Sequence, residues 1–227
     1  MMGRGDMENI SMIRSNIYKL LSIGYSRPKE DLYLYIKGGD YWKGLKDAVF
    51  LLPWDELRKK TIELENQLKM VEDSYQEFDS RYTMTFDVGK PSPPCPLYEG
   101  VYRGGLQRPQ LLHEVLMFYK TFGLSLSEDF KELHDHLVAE LEFMHFLSFK
   151  EVQAEKEGVE VKPYILAESD FMNRHLGLWF SDLRAVIEKT FKKGFYPALA
   201  SFTDLFIVLD RRYLGSLLNK EEERKQI

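Results

Sequence analysis

The residues best suited to chemistry are histidines and carboxylates that lie close together between positions 134 and 145. They are His134, Asp135, His136, Glu140, Glu142 and His145. Imidazole and carboxylate groups at helical spacing can bind a divalent metal. Glu142 and His145 form the Glu-x-x-His unit of di-iron helix bundles, but those sites need a second unit, which this sequence lacks. A metal-dependent helical enzyme is therefore the alternative interpretation. It would use His136, Glu140, Glu142 and His145.

Nucleophilic and nucleotide chemistry find little support. The single cysteine, Cys95, stands between Pro94 and Pro96 without a neighbouring base, and no Gly-x-Ser-x-Gly motif occurs. Gly104 and Gly105 lack the lysine and the preceding strand of a phosphate-binding loop. We therefore predict a protein that is not an enzyme and that needs no cofactor.

Composition and charge limit the compartment and the partners. A hydrophobic content of 44% in 227 residues is enough for one folded domain. The net charge of -5 would repel a nucleic-acid backbone. A single cysteine excludes an intramolecular disulfide, and neither a signal peptide nor an apolar run of roughly 18 residues is found. We predict a cytoplasmic protein without nucleic-acid binding or membrane insertion.

Helices must position the His/Glu cluster, because apolar residues recur three and four positions apart along almost the whole chain. The pattern predicts an all-α multi-helix bundle. Its clearest stretch, residues 55–82, predicts one long helix. Residues 130–149 predict the helix that carries the cluster, and residues 169–191 predict another that starts at a Ser169 cap and has a weak point at Gly177.

Residues 87–110 interrupt the helical pattern. They contain Pro91, Pro93, Pro94, Pro96, Pro109, Gly89, Gly100, Gly104 and Gly105. This composition forbids a regular helix, and loops longer than about 12 to 15 residues are often functional. We therefore predict a single domain over 1–227. Its parts are an N-terminal half (about 7–86), a connecting loop (87–110), a C-terminal half (111–217) and a charged tail (218–227).

Three segments, within a likeness that spans about residues 75–213, resemble the TorD/DmsD/NarJ family of redox-enzyme maturation chaperones. Pro91-Ser-Pro-Pro-Cys-Pro-Leu-Tyr-Glu-Gly-Val-Tyr102 is similar to the family's proline and aromatic segment. Glu132-Leu-His-Asp-His136, followed by Glu140-Leu-Glu-Phe-Met144, resembles its Glu-Pro-x-Asp-His motif and the helix beyond. His175-Leu-Gly-Leu-Trp179, with Phe195-Tyr196 and Ala198-Leu199 beyond it, resembles its final helical pair.

The resemblance implies an all-helical chaperone. Such a protein binds the apo catalytic subunit of a molybdopterin-containing reductase, together with its twin-arginine leader, until the cofactor is inserted. A leader with two arginines and an apolar stretch needs carboxylates and an adaptable apolar surface on its receptor. We therefore expect an acidic, aromatic-rich cleft beside the proline segment. The predicted client-binding residues are Pro94, Pro96, Tyr98, Glu99, Tyr102, Asp135, His136 and Glu140.

Several positions keep two interpretations. Asp135 could cap its helix or bind the client, and Leu133 stands where the family has proline. Leu141 and Met144 lie on an apolar stripe, which favours the core over a groove, and the same holds for Trp179. The identity of the client and the choice between monomer and homodimer stay open.

Overall fold

The computed structural model describes the backbone of residues 4–225 and the side chains of residues 10–219, apart from 104 and 106. Within these limits the fold is all-α, as predicted, with one isolated backbone bridge and no strand. The helices are α1 (Arg4–Tyr25), α2 (Glu30–Lys37), α3 (Asp40–Leu51), α4 (Asp55–Leu68), α5 (Tyr75–Tyr82), α6 (Arg108–Thr121), α7 (Leu137–Glu157), α8 (Lys162–Arg174), α9 (Leu176–Thr190) and α10 (Phe195–Lys225). Among these described helices, none has the length and apolar character that crossing a membrane requires.

All ten described helices contribute buried residues to one hydrophobic core. α1 runs along α7, while α10 packs against α4, α8 and α9. Leu141, Met144 and Trp179 are completely buried, so the prediction that they belong to the core is confirmed. Burying one such large apolar side chain stabilises a fold by about 1.5–3 kcal/mol. The helices that carry the predicted site are therefore held together by this apolar core.

The predicted helix over residues 55–82 is wrong, because the chain leaves the helical conformation between α4 and α5. Ser74 begins α5 with a capping box, in which its hydroxyl accepts from the Glu77 amide and the Glu77 carboxylate accepts from the Ser74 amide. The Tyr33 hydroxyl donates to two backbone carbonyls just before this cap, at 3.0 and 2.7 Å. These contacts replace the helical hydrogen bonds that a continuous helix would have made.

Ser74→Ala tests the capping box. We expect a loss of about 1 kcal/mol in the free energy of unfolding, because the Glu77 amide at the start of α5 loses the hydroxyl that accepts its hydrogen bond. Urea unfolding followed by circular dichroism measures the loss. Ser80→Ala, at an exposed position of the same helix, is the matched control and should be close to neutral. Equal effects of the two substitutions would contradict the assigned cap.

The helix predicted over residues 130–149 begins later, at Leu137. His136 is its N-cap, and its Nδ1 accepts from the Val138 amide at 3.2 Å. The helix then continues to Glu157, where Gly158 adopts a left-handed conformation with φ of 69°. Residues before His136 therefore belong to a connection between α6 and α7.

The helix predicted over residues 169–191 is divided at His175, which separates α8 from α9. Ser169 lies inside α8 and is not a cap. The weak point foreseen at Gly177 lies two residues beyond the break. A Cβ atom there would lie 2.5 Å from the Met172 carbonyl oxygen, so the close turn requires glycine.

The predicted loop is shorter than 87–110. Gly100–Gly104 form a single π-helical turn, Gly105–Gln107 a 3-10 turn, and α6 starts at Arg108 with proline in its first turn. The irregular part is therefore residues 88–99. At the other end of the chain, the α10 backbone continues to Lys225, and the charged side chains predicted as a tail lie outside the described residues from 220 onward.

Candidate functional site

The proline segment docks on the N-terminus of α7. The Glu99 amide donates to the Asp135 carbonyl at 2.9 Å, and the Leu137 amide donates to the Leu97 carbonyl at 2.8 Å. Tyr98 and His136 form the isolated bridge between these pairs. The structure thus brings together the first two sequence motifs, which lie more than 30 residues apart in the chain.

Asp135 holds the turn after the proline segment. Its side chain is completely buried, and Oδ2 accepts from the Gly100 amide at 2.9 Å. The Arg108 guanidinium lies 4.0 Å from Oδ2, while Oδ1 has no hydrogen-bond partner. Burial raises the pKa of this carboxyl. Asp135 therefore does not cap α7, which is the role of His136.

Glu99 connects the same turn to the break between α8 and α9. Its carboxylate is completely buried, with Oε1 bound to the Arg103 guanidinium and Oε2 2.9 Å from His175 Nδ1. Arg103 also donates to the Arg174 carbonyl at 2.6 Å. The third sequence motif, which begins at His175, therefore joins the same buried polar cluster.

Glu140 is the innermost acid of this cluster. It is completely buried, and the Trp179 indole N–H donates to its Oε2 at 3.0 Å. Oε1 has no partner in a hydrogen bond of normal geometry. Burial, and next the neighbouring Glu99 carboxylate, raise the pKa of Glu140 well above its usual range. Burial therefore favours the protonated form of Glu140 in the folded protein.

Aromatic rings cover the cluster. Tyr102 stacks on Trp179 with 5.5 Å between ring centroids. The Tyr98 ring meets the His136 ring edge-on at 5.0 Å, and its hydroxyl donates to the Glu132 carboxylate. Burial lowers the pKa of His136 to about 4, so its imidazole is neutral at neutral pH. Its cap on α7 depends on that neutral state, because Nδ1 must accept a hydrogen bond.

The eight predicted residues differ in exposure. Pro94 is exposed, and Tyr98 and Tyr102 are half-buried. The buried ones are Pro96, Glu99, Asp135, His136 and Glu140. The structure therefore differs from the expected acidic cleft in one respect. The carboxylates of Glu99, Asp135 and Glu140 are buried beneath the surface, where they contact other groups of the chain. The role of all eight residues in client binding stays a prediction.

Sequence reasoning did not predict that Arg103, Arg108 and the His175 imidazole would belong to this buried polar cluster. One signal for Arg103 was available, because it lies four residues after Glu99, the spacing of an ion pair on a helical turn. Nothing in the local sequence indicated that His175 would reach Glu99, 76 positions away.

The side chains proposed for a metal site bind different partners and do not converge on one point. Glu142 accepts from Lys19 at 2.9 Å and from Ser22 at 2.6 Å, and His145 Nδ1 lies 2.8 Å from the Ser15 hydroxyl. Across the part of the chain that the structure describes, no group of three or more histidine, cysteine or acidic side chains could hold a metal ion. The geometry gives the metal interpretation no support.

Gly100→Ala tests how closely the turn packs. A Cβ atom would lie 2.7 Å from Asp135 Oδ2 and 2.8 Å from Arg108 Nε, so we expect a loss of about 1–3 kcal/mol in the free energy of unfolding. Gly215→Ala on α10 is the control, because a Cβ atom there would have nothing within 4 Å and alanine favours helix. In urea unfolding, a loss at Gly215 equal to that at Gly100 would contradict the argument.

Comparison with known proteins gives a consistent result. A family model described as nitrate reductase delta subunit matches residues 53–185. The perchlorate reductase assembly chaperone of Dechloromonas aromatica is 32% identical over 87% of this chain and 88% of its own length. The selenate reductase assembly chaperone of Thauera selenatis is 38% identical over 52% of this chain and 61% of its own.

One solved structure has a similar fold. It is a candidate redox enzyme maturation protein from Archaeoglobus fulgidus, with a TM-score of 0.51 and 24% identity over 89% of this chain and 93% of that one. The helical fold thus defines a protein of the TorD-like all-α class. The chain belongs to the nitrate reductase delta subunit family.

Proposed function

We propose that this protein is an assembly chaperone that binds the apo catalytic subunit of a molybdopterin-containing oxidoreductase in the cytoplasm. The observation that carries the proposal is the similarity, along most of both chains, to a perchlorate reductase assembly chaperone. The chaperone acts by binding and not by catalysis. It holds the subunit until the cofactor is inserted, and release follows when the loaded subunit buries the bound surface.

The client class follows from the named relatives. They are described as assembly chaperones of perchlorate, selenate and chlorate reductases. These three substrates are oxyanions, and relatives named TorD are less similar to this chain. We therefore take the client to be the catalytic subunit of an oxyanion reductase.

The proposed contact with the client leader uses the surface around the docked proline segment. Tyr98, Tyr102 and Pro94 are accessible there, and the Glu132 carboxylate lies beside Tyr98. An apolar groove of about 530 Å³ lies close by, between the α6–α7 connection and α7. It is lined by Leu124, Leu126, Phe130, Phe143, Phe146 and Phe149, among others. A volume of this size suits the apolar side chains of a bound segment.

Co-purification tests the proposal. The full-length chain with an affinity tag should retain, from the cells that make it, a reductase catalytic subunit that lacks its cofactor. Mass spectrometry identifies the retained subunit, and its molybdenum content should be far below one per chain. Tyr35→Ala, on the remote helix α2, is the control for the Tyr98→Ala variant, which should retain less subunit. Retention of no molybdoenzyme subunit at all would refute the proposal.

A further inference from the structure

Two arginines of the chain itself lie against carboxylates that were predicted to bind the client. Arg103 binds Glu99, and Arg108 faces Asp135. We propose that Arg103 and Arg108 are internal competitors, which the guanidinium groups of a client segment displace when that segment binds. This inference rests on the proposed function and concerns the regulation of the same site.

The contact between Arg108 and Asp135 is incomplete. The closest approach of guanidinium and carboxylate is 4.0 Å, Arg108 Nε is buried without a partner, and so is Asp135 Oδ1. A guanidinium that approached a carboxylate edge-on would donate two parallel hydrogen bonds. Asp135 can therefore accept a better partner than the one it has, and an incoming arginine side chain has the required geometry.

Neither arginine lies in the interior of a regular helix. Arg103 lies on the π turn Gly100–Gly104, and Arg108 is the first residue of α6, directly after the 3-10 turn Gly105–Gln107, so no α-helix has to unwind for either side chain to move. Arg103 and Arg108 are already 30% and 37% exposed, and space is open around Gly105. Both side chains can thus turn into solvent, and for Arg103 this also breaks its hydrogen bond to the Arg174 carbonyl at the end of α8.

Charge balance favours replacement of Arg103 and Arg108 by client arginines over their departure without a replacement. The buried acids Glu99 and Asp135 each face one arginine, and removal of a guanidinium without replacement would leave a carboxylate uncompensated. Replacement by a second guanidinium leaves the charge of the cluster unchanged. Lysine offers only a point charge and cannot form the two-pronged contact, so the site should prefer arginine-bearing segments over lysine-bearing ones.

Fluorescence anisotropy with a labelled synthetic peptide tests the inference. The peptide carries two adjacent arginines before an apolar stretch, and a second peptide has lysines in their place. Arg108→Gln should bind the arginine peptide about two- to fivefold more tightly than the unaltered chain does. Arg27→Gln removes an arginine of similar chemistry that is 62% exposed and pairs with Asp79, so it should leave the affinity unchanged. The lysine peptide should bind more weakly and gain less from Arg108→Gln.

Two further variants separate competition from a structural role. Adding Asp135→Asn to Arg108→Gln should cancel the gain, because the carboxylate that accepts the client is then lost. Arg103→Gln, checked for its melting temperature, should also bind more tightly if it remains folded. Unchanged or weaker binding by folded Arg108→Gln would overturn the inference while the proposed function stands. If neither the unaltered chain nor any variant binds the arginine peptide, leader binding itself is wrong and the inference falls with it.

Discussion

Arg14→Met is expected to lower the free energy of unfolding by about 3–5 kcal/mol, because three buried carboxylates would lose the guanidinium that they share. Arg14 on α1 is completely buried. It binds Asp210 on α10, Glu168 on α8 and Glu151 on α7, the last at 3.3 Å. The cluster therefore joins four helices through one side chain.

The remaining groups of this cluster cannot compensate for the loss of Arg14. Burial raises the pKa of Glu168 well above its usual range. The Tyr18 hydroxyl donates to Asp210 at 2.5 Å, and Ser11 donates to Glu151 at 2.8 Å. Neutral donors of this kind do not balance a buried carboxylate charge, so Arg14→Met leaves an uncompensated charge in the core.

Urea unfolding followed by circular dichroism measures the effect of Arg14→Met. Arg27→Met is the matched control, since its ion pair with Asp79 lies at the surface and contributes at most about 1 kcal/mol. A loss for Arg14→Met no greater than that for Arg27→Met would show that the buried ion pairs contribute nothing net to stability.

Local periodicity predicted the all-α fold and the core faces, but not the breaks between helices. The apolar pattern continues through Val71 and Tyr75, so nothing local marks the end of α4. The break depends instead on Tyr33, some 40 positions earlier, which binds the backbone carbonyls there. The break at His175 likewise accompanies a contact with Glu99, 76 positions away. Such contacts follow from tertiary packing, which no local window of sequence contains.

The motifs predicted which residues of the site would meet, but not how deep they would lie. Pairing of Tyr98 with His136 agrees with the expectation that the proline segment lies beside the Asp-His pair. Carboxylates are mostly exposed in proteins, which favoured an open cleft. The burial of Glu99 and Glu140 became possible because His175 and Trp179, both from the third motif, supply hydrogen-bonding partners. Nothing in the local pattern indicated that Arg14 would be completely buried, and its role was missed.

Glu140→Gln is expected to stabilise the protein by about 2 kcal/mol at about pH 9 and to change little at acid pH. Burial, and next the Glu99 carboxylate, raise the pKa of Glu140, so the folded state keeps this proton to a higher pH than the unfolded state does. Its contribution to stability is thus complete at low pH and is lost as the pH rises through the folded-state pKa. Glutamine mimics the neutral acid and can still accept from Trp179, so the alkaline loss disappears.

The pKa of His136 shifts in the opposite direction, and protonation of this imidazole sets the acid limit of the protein's stability. Its pKa falls from 6.5 to about 4 on burial, so its contribution to stability is present above 6.5 and is lost as the pH falls through about 4. The unaltered protein should therefore be most stable between these two limits. In a plot of the free energy of unfolding against pH, Glu140→Gln should raise only the alkaline side. Some loss of stability with rising pH should remain there, because the pKa of Glu168 is raised as well.

Urea unfolding at a series of pH values measures these profiles. Glu142→Gln is the control on the same helix, because the Glu142 side chain is 41% exposed and pairs with Lys19. If the alkaline slopes of Glu140→Gln and the unaltered chain are parallel, Glu140 does not hold the proton.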